Sequence, residues 1–128
     1  MEFITAVAAG QHVEQLAFDH LVEYGLRPVA RNFRCRGGEI DLIMLDEDCL
    51  AFIEVRYRAS SSFGRASETV DVRKQQKIIR TAALFIARNK AFALHTMRFD
   101  VFAVEGPSAQ ATGVHWIKDA FRPNNSTL

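Results

Sequence analysis

The chain has 128 residues, room for one domain with one continuous hydrophobic core but not for two independent cores. Apolar residues make up 48% and charged residues 24%, a globular balance rather than that of a disordered or membrane-embedded chain. The formal net charge of +1 hides a regional imbalance: Arg27 to Arg36 and Arg56 to Lys90 are basic while Glu39 to Glu54 is acidic, so an acidic pocket with a basic surround is expected.

Met1 to Gly10 lacks the basic start and long apolar core of an export signal. No apolar run approaches the roughly 20 residues a membrane-spanning helix requires, so no membrane partner is expected and the cytoplasm is the expected location. Val13, Leu16, Ala17, Leu21 and Tyr24 recur at helical spacing and predict a helix over residues 11 to 24, with Gly25 as its stop. Arg27 to Arg34 reads as a short strand, broken by Gly37 and Gly38 before the alternating stretch Glu39 to Met44, a second strand. Asp46, Glu47 and Asp48 are turn residues, and the apolar, β-branched run Leu50 to Tyr57 should pair antiparallel with the second strand. Ala59 to Thr69 is serine-rich and reads as a surface loop, a flap near the pocket.

Ile78, Ile79, Ala82, Phe85 and Ile86 mark a second amphipathic helix from Asp71 to Asn89, capped by Asp71. Met97 to Val104 alternates as a fourth strand, and Val114 to Ile117 fits a fifth, short edge strand. The order is α-β-β-β-α-β, with a final strand in addition, in a mixed α/β sheet. A single domain over residues 1 to 122 and a frayed tail from Pro123 to Leu128 complete the reading.

The hairpin carries the chemistry. With Glu47 and Asp48 central in the turn, paired positions sum to 95 and Asp41 lies opposite Glu54, on the face shared by Glu39, Ile43 and Arg56. Opposed residues hold their Cβ atoms roughly 4.5–5.5 Å apart. Two carboxylates that close repel unless a proton or cation lies between them, and a hard divalent ion is a natural choice because magnesium takes one or two carboxylates plus waters and phosphate oxygens. The alternative is a pair of exposed carboxylates on a solvated hairpin face.

Two polar residues point the same way. At about 100° per residue, Glu14 falls inside the apolar arc of the first helix. It needs a partner such as a metal, a metal-bound water or an arginine, or lies at the arc's margin with its tip in water. Gln75 falls inside the apolar arc of the second helix, where its amide orients a water or a carboxylate, or satisfies a buried backbone group.

The stretches Gly38-Glu39-Ile40-Asp41-Leu42-Ile43, Phe52-Ile53-Glu54-Val55-Arg56-Tyr57-Arg58, Phe63-Gly64, Lys74-Gln75 and Arg98-Phe99-Asp100 together resemble the bacterial YraN-type family, over nearly the whole chain. That family is similar to a branch of the restriction-endonuclease-like superfamily, including archaeal Holliday-junction resolvases, whose core is an aspartate on one strand and Glu-x-Lys on the next. The resemblance implies a restriction-endonuclease-like α/β fold. It also implies a nuclease acting on DNA, branched or single-stranded, with Asp41 and Glu54 as ligands of Mg2+ or Mn2+, Glu14 as an accessory acid and Gln75 as the helix-borne glutamine.

One departure is chemical. Where the family pattern has lysine this chain has Arg56, which stays protonated and cannot accept a proton from attacking water, although it can clamp a phosphate oxygen. Three outcomes stay open: turnover with hydroxide at the metal as nucleophile, Lys74 reaching in from the second helix, or loss of activity, leaving a nucleic-acid-binding module with a nuclease fold. Arg31, Arg34, Arg36, Arg58, Arg65, Arg73, Lys74 and Lys77 are candidates for a phosphate-binding rim, with DNA expected in preference to RNA; the alternative is a solvated basic face. A homodimer is left open as the assembly, and the near-neutral charge keeps a purely protein-binding role open.

Cys35 and Cys49 read as small buried hydrophobes rather than a disulfide. His12, His20, His95 and His115 lack ligand spacing, so no zinc site is expected. The Ser60 to Ser62 run with Gly64 and Arg65 is too poor in glycine for a nucleotide cradle, and Trp116 reads as a packing anchor.

Overall fold

A computed structural model describes residues 6–58, 70–106 and 113–123, with side chains described for all of these except 6–9 and 58. The first helix, α1, spans Ala6–Tyr24. It begins earlier than the apolar spacing indicated, because Ala6, Val7, Ala8 and Ala9 carry high alanine helix propensity but no periodic pattern. Gly25 ends it in a left-handed conformation, φ 118°, which a residue with a Cβ adopts only under strain. The Leu26 N–H then donates to the Leu21 carbonyl at 3.0 Å, closing the last turn.

Five strands follow in spatial order β1-β2-β3-β4-β5: Arg27–Cys35, Gly38–Asp46, Cys49–Arg58, Thr96–Glu105 and Gly113–Phe121. Neighbours pair antiparallel except β3 and β4, which are parallel. A parallel pair needs a crossover, and the second helix, α2, Val72–Arg88, supplies it. Asp71 caps α2 as expected, accepting the Lys74 N–H at 2.8 Å.

The sheet is mixed α/β and buried on both faces. Val13, Ala17 and Leu21 of α1 pack with Leu42, Met44, Ala51, Ile53, Phe102 and Val104 on one side. Ile78, Ile79, Ala82 and Phe85 of α2 pack with Ile43, Leu50, Phe52, Phe99 and Val101 on the other. Along β3 the α2-facing series runs Leu50, Phe52 and then Glu54, only 6% exposed. A carboxylate thus stands where the next core side chain is due.

The fifth strand is longer than Val114 to Ile117. Asp119 takes a positive φ of 55°, the register shifts there, and its N–H donates to the fully buried Asp100 at 2.9 Å. That bulge lets the strand continue to Phe121, which stacks on Phe99 at 5.2 Å. Asp100 also accepts from Arg98 Nε at 3.0 Å and Trp116 Nε1 at 3.0 Å, so Trp116 is anchored by a hydrogen bond as well as by its edge contact with Tyr24. Cys35 and Cys49 are free but half-buried rather than buried. No described helix is long and apolar enough to cross a membrane.

Candidate functional site

β2 and β3 pair in the register expected from the turn, from Asp46 opposite Cys49 to Leu42 opposite Ile53. At Asp41 the pairing changes character. Its carboxylate, in place of a backbone carbonyl, accepts the Val55 N–H at 2.8 Å, which turns the Asp41 side chain toward β3. Glu54, one residue before Val55, is hydrogen-bonded to Asp41. The two acids meet in a cleft of about 490 Å³ between the β2 and β3 strands and the first turns of α2.

Cations close the cleft from both sides. Lys74 Nζ lies 2.7 Å from Glu54 Oε2, and Arg56 Nη1 lies 3.7 Å from the same oxygen. Lys74 stands in the first turn of α2, which the Asp71 cap fixes. Arg73 and Lys77, one turn apart on that helix, also line the cleft.

Electrostatics follow from this crowding. Burial first, then the hydrogen bond and negative charge of Glu54, push the Asp41 carboxyl up to about 9; the charge of Glu14 adds to the rise and the Val55 N–H opposes it. That rise favours a protonated Asp41 beside Glu54 at neutral pH, the expected direction for a carboxyl forced against a second one. Asp41 and Glu54 are the residues that would hold a hard divalent cation, since such ions favour one or two carboxylates. Among the described residues no third His, Cys, Asp or Glu joins them in a group able to hold an ion. Glu14, half-buried on α1, thus acts on Asp41 through its charge.

Asp41, Glu54, Arg56, Arg73, Lys74 and Lys77 come together in the cleft, whereas other expected residues lie elsewhere. Gln75 takes the backbone-satisfying role of its two alternatives, its Nε2 donating to the Val70 carbonyl at 2.9 Å. Exposed Arg34 pairs with Glu39 at 3.2 Å, and Arg36 is exposed at the β1 to β2 turn. Arg31 turns to the α1 side, donating to Gln15 at 3.1 Å and stacking on Phe18. The side chain of Arg58, and Arg65 with the whole Ala59 to Thr69 flap, lie outside the described residues.

Two features escaped the reading of spacing alone. Gly38 lines the cleft and packs so closely on α2 that a Cβ there would stand 2.6 Å from Thr81 Oγ1. Thr81 is itself buried, its hydroxyl donating to the Lys77 carbonyl at 2.7 Å and lying 3.6 Å from Cys35 Sγ. That hydroxyl and the backbone around Gly37 and Gly38 draw the Cys35 thiol below its ordinary value. The second feature is the buried Asp100 network, for which the sequence signals were the Arg98-Phe99-Asp100 motif and a charge at a core position of an alternating strand.

Comparison with known proteins places this chain among close relatives. The model of the uncharacterised protein family UPF0102 matches residues 13–104. A UPF0102 protein of Stutzerimonas stutzeri (strain A1501) is 49% identical over 114 residues, 89% of this chain and 94% of its own length. One from Pseudomonas syringae pv. syringae (strain B728a) is 46% identical over 121 residues, 94% of this chain and 98% of its own. Another, from Pseudomonas putida (strain GB-1), is 43% identical over 113 residues, 88% of this chain and 92% of its own.

Proposed function

The chain belongs to the uncharacterised protein family UPF0102, and from that premise we propose that it is a magnesium- or manganese-dependent endonuclease hydrolysing phosphodiester bonds in DNA. The observation that carries this reading is the contact of Asp41 with Glu54 inside a cleft edged by Arg56, Arg73, Lys74 and Lys77. Buried carboxylates pressed together are costly to a fold unless a proton or a cation lies between them, such pairs cluster at functional sites, and Lys and Arg around them suit a phosphate backbone.

Asp41 and Glu54 are the residues that would hold the ion in this reading, Asp41 in its deprotonated form. When bound, the ion supplies charge stabilisation for the phosphoryl oxygens and a more acidic water. Arg56 stays protonated and presents its planar fork to a non-bridging phosphate oxygen. Lys74, already against Glu54, takes the place of the lysine that Arg56 displaces; as an ammonium it donates to and orients the attacking water and the developing negative charge, while the water's proton leaves to solvent. Arg73 and Lys77 position the strand through its phosphates without reading bases.

The test is incubation of the purified protein with labelled junction, duplex and single-stranded DNA in manganese. Cleavage of at least one substrate, with Asp41→Ala slowed by about 100-fold or more, is the expected outcome; no cleavage of any of them sinks the reading. Arg56 itself favours a second one, a nucleic-acid-binding module without turnover. Arg56→Lys separates the two: a binding module gains cleavage with the restored lysine, whereas an enzyme that works through Lys74 cuts before the change and is silenced by Lys74→Met.

A further inference from the structure

The two helices that sandwich the sheet carry opposite charge. α1 contains Glu14, Asp19 and Glu23 and no Lys or Arg; α2 contains Arg73, Lys74, Lys77, Arg80 and Arg88 and no Asp or Glu. At about 100° per residue, Arg73, Lys77, Arg80 and Arg88 fall within about 80° of the helix circumference and run along it for about 22 Å. All are exposed, and among the described residues none of the four has an ion-pair partner. The ridge starts in the cleft at Arg73 and Lys77 and continues well beyond it to Arg80 and Arg88.

We infer that this ridge is a docking surface for double-stranded DNA and holds the duplex arm that flanks the scissile phosphate. The substrate then has a duplex arm outside the cleft, an inference that rests on the proposed hydrolytic site for the position of the cut but not for the binding itself. A row of exposed cations on a rigid helix matches a rigid polyanion with about one charge per 1.7 Å of axis. Single strands are usually gripped by aromatic stacking platforms, and the sole aromatic residue of α2, Phe85, is buried in the core. Arg80 and Arg88 do not line the cleft and contribute to binding alone. The acidic α1 face turns the opposite side of the sheet away from DNA, so a molecule of near-zero net charge still orients in the field of a duplex.

The test compares wild type with Arg80→Gln/Arg88→Gln, using calcium in place of manganese to prevent turnover. With a duplex of about 20 bp at low salt, the double variant should bind about 5–10-fold more weakly, and its slope of log affinity against log salt should shrink by about 2. Its affinity for a single strand of about 6 nucleotides, short enough to occupy the cleft alone, should stay within about twofold. Asp19→Asn/Glu23→Gln on α1 should leave the salt slope unchanged.

Equal affinity and slope for the Arg80 and Arg88 variant overturns the inference, as does failure of wild type to bind duplex at low salt. An equal loss on the short single strand overturns the duplex assignment. A loss seen only with phosphatidylserine vesicles transfers the ridge to a membrane and overturns the proposal too. Wild type that binds duplex through the ridge yet cuts nothing in manganese removes the hydrolytic reading and leaves this one standing.

Discussion

Asp41 holds a backbone N–H, a hydrogen bond to Glu54 and, at neutral pH, a proton. Its carboxyl titrates at about 9 in the fold against 3.8 for the ordinary side chain, so between those values the native state binds the extra proton and stability falls as pH rises. Asp41→Asn keeps an acceptor for Val55 and a donor for Glu54 without the titration. Its stability should be nearly level over that window and should exceed that of wild type by roughly 1–3 kcal/mol at pH 8, as read by urea unfolding at several pH values. A variant with the same pH slope as wild type shows that Asp41 is not the group responsible. Asp100 is the opposite kind of buried acid, fully satisfied by Arg98, Trp116 and the Asp119 N–H. Asp100→Ala strips all three and leaves the half-buried Arg98 guanidinium with Asp46, at 2.9 Å, as its remaining partner, so a loss of about 2–4 kcal/mol is expected in denaturant titration; a loss under about 1 kcal/mol contradicts the network's role.

At the scale of elements, the cleft exists because the start of β2 and the middle of α2 are held against each other. Gly38 sets that distance, since a Cβ there would meet the Thr81 hydroxyl at 2.6 Å. Gly38→Ala should therefore destabilise by roughly 1–3 kcal/mol through overpacking, and Thr81→Ala in the same molecule should restore a large part of that loss. Strict additivity of the two changes in a double-mutant cycle contradicts a shared contact. The helices, the hairpin register and the Asp71 cap were legible because each depends on residues close in sequence. The extension of β5 was not, because it needs Asp100 of β4 to hold the Asp119 bulge. Nor was the role of Gln75, whose inward angle was clear but whose partner, the Val70 carbonyl, was one of two equally good choices.

For the whole molecule, an ion that binds only the native cleft must stabilise the entire fold. At about a hundredfold excess over its dissociation constant the gain is about 2.7 kcal/mol, or roughly 8–12 °C in unfolding midpoint at this size. Manganese should raise the midpoint of wild type by that amount and leave Asp41→Asn unmoved; a wild-type midpoint indifferent to manganese removes the metal from the site. By itself the sequence determined the element order, the face of the hairpin that carries Asp41 and Glu54, and the basic character of α2, because periodicities of two and 3.6 residues convert spacing directly into sidedness. Only the tertiary structure decided that Lys74 rather than Gln75 reaches Glu54, that Glu14 acts on Asp41 from α1 by charge, and that α1 and α2 set opposite charges on opposite faces of the sheet. Those outcomes depend on which elements pack together and at what distance, and both are set by burying the two faces of the sheet at once.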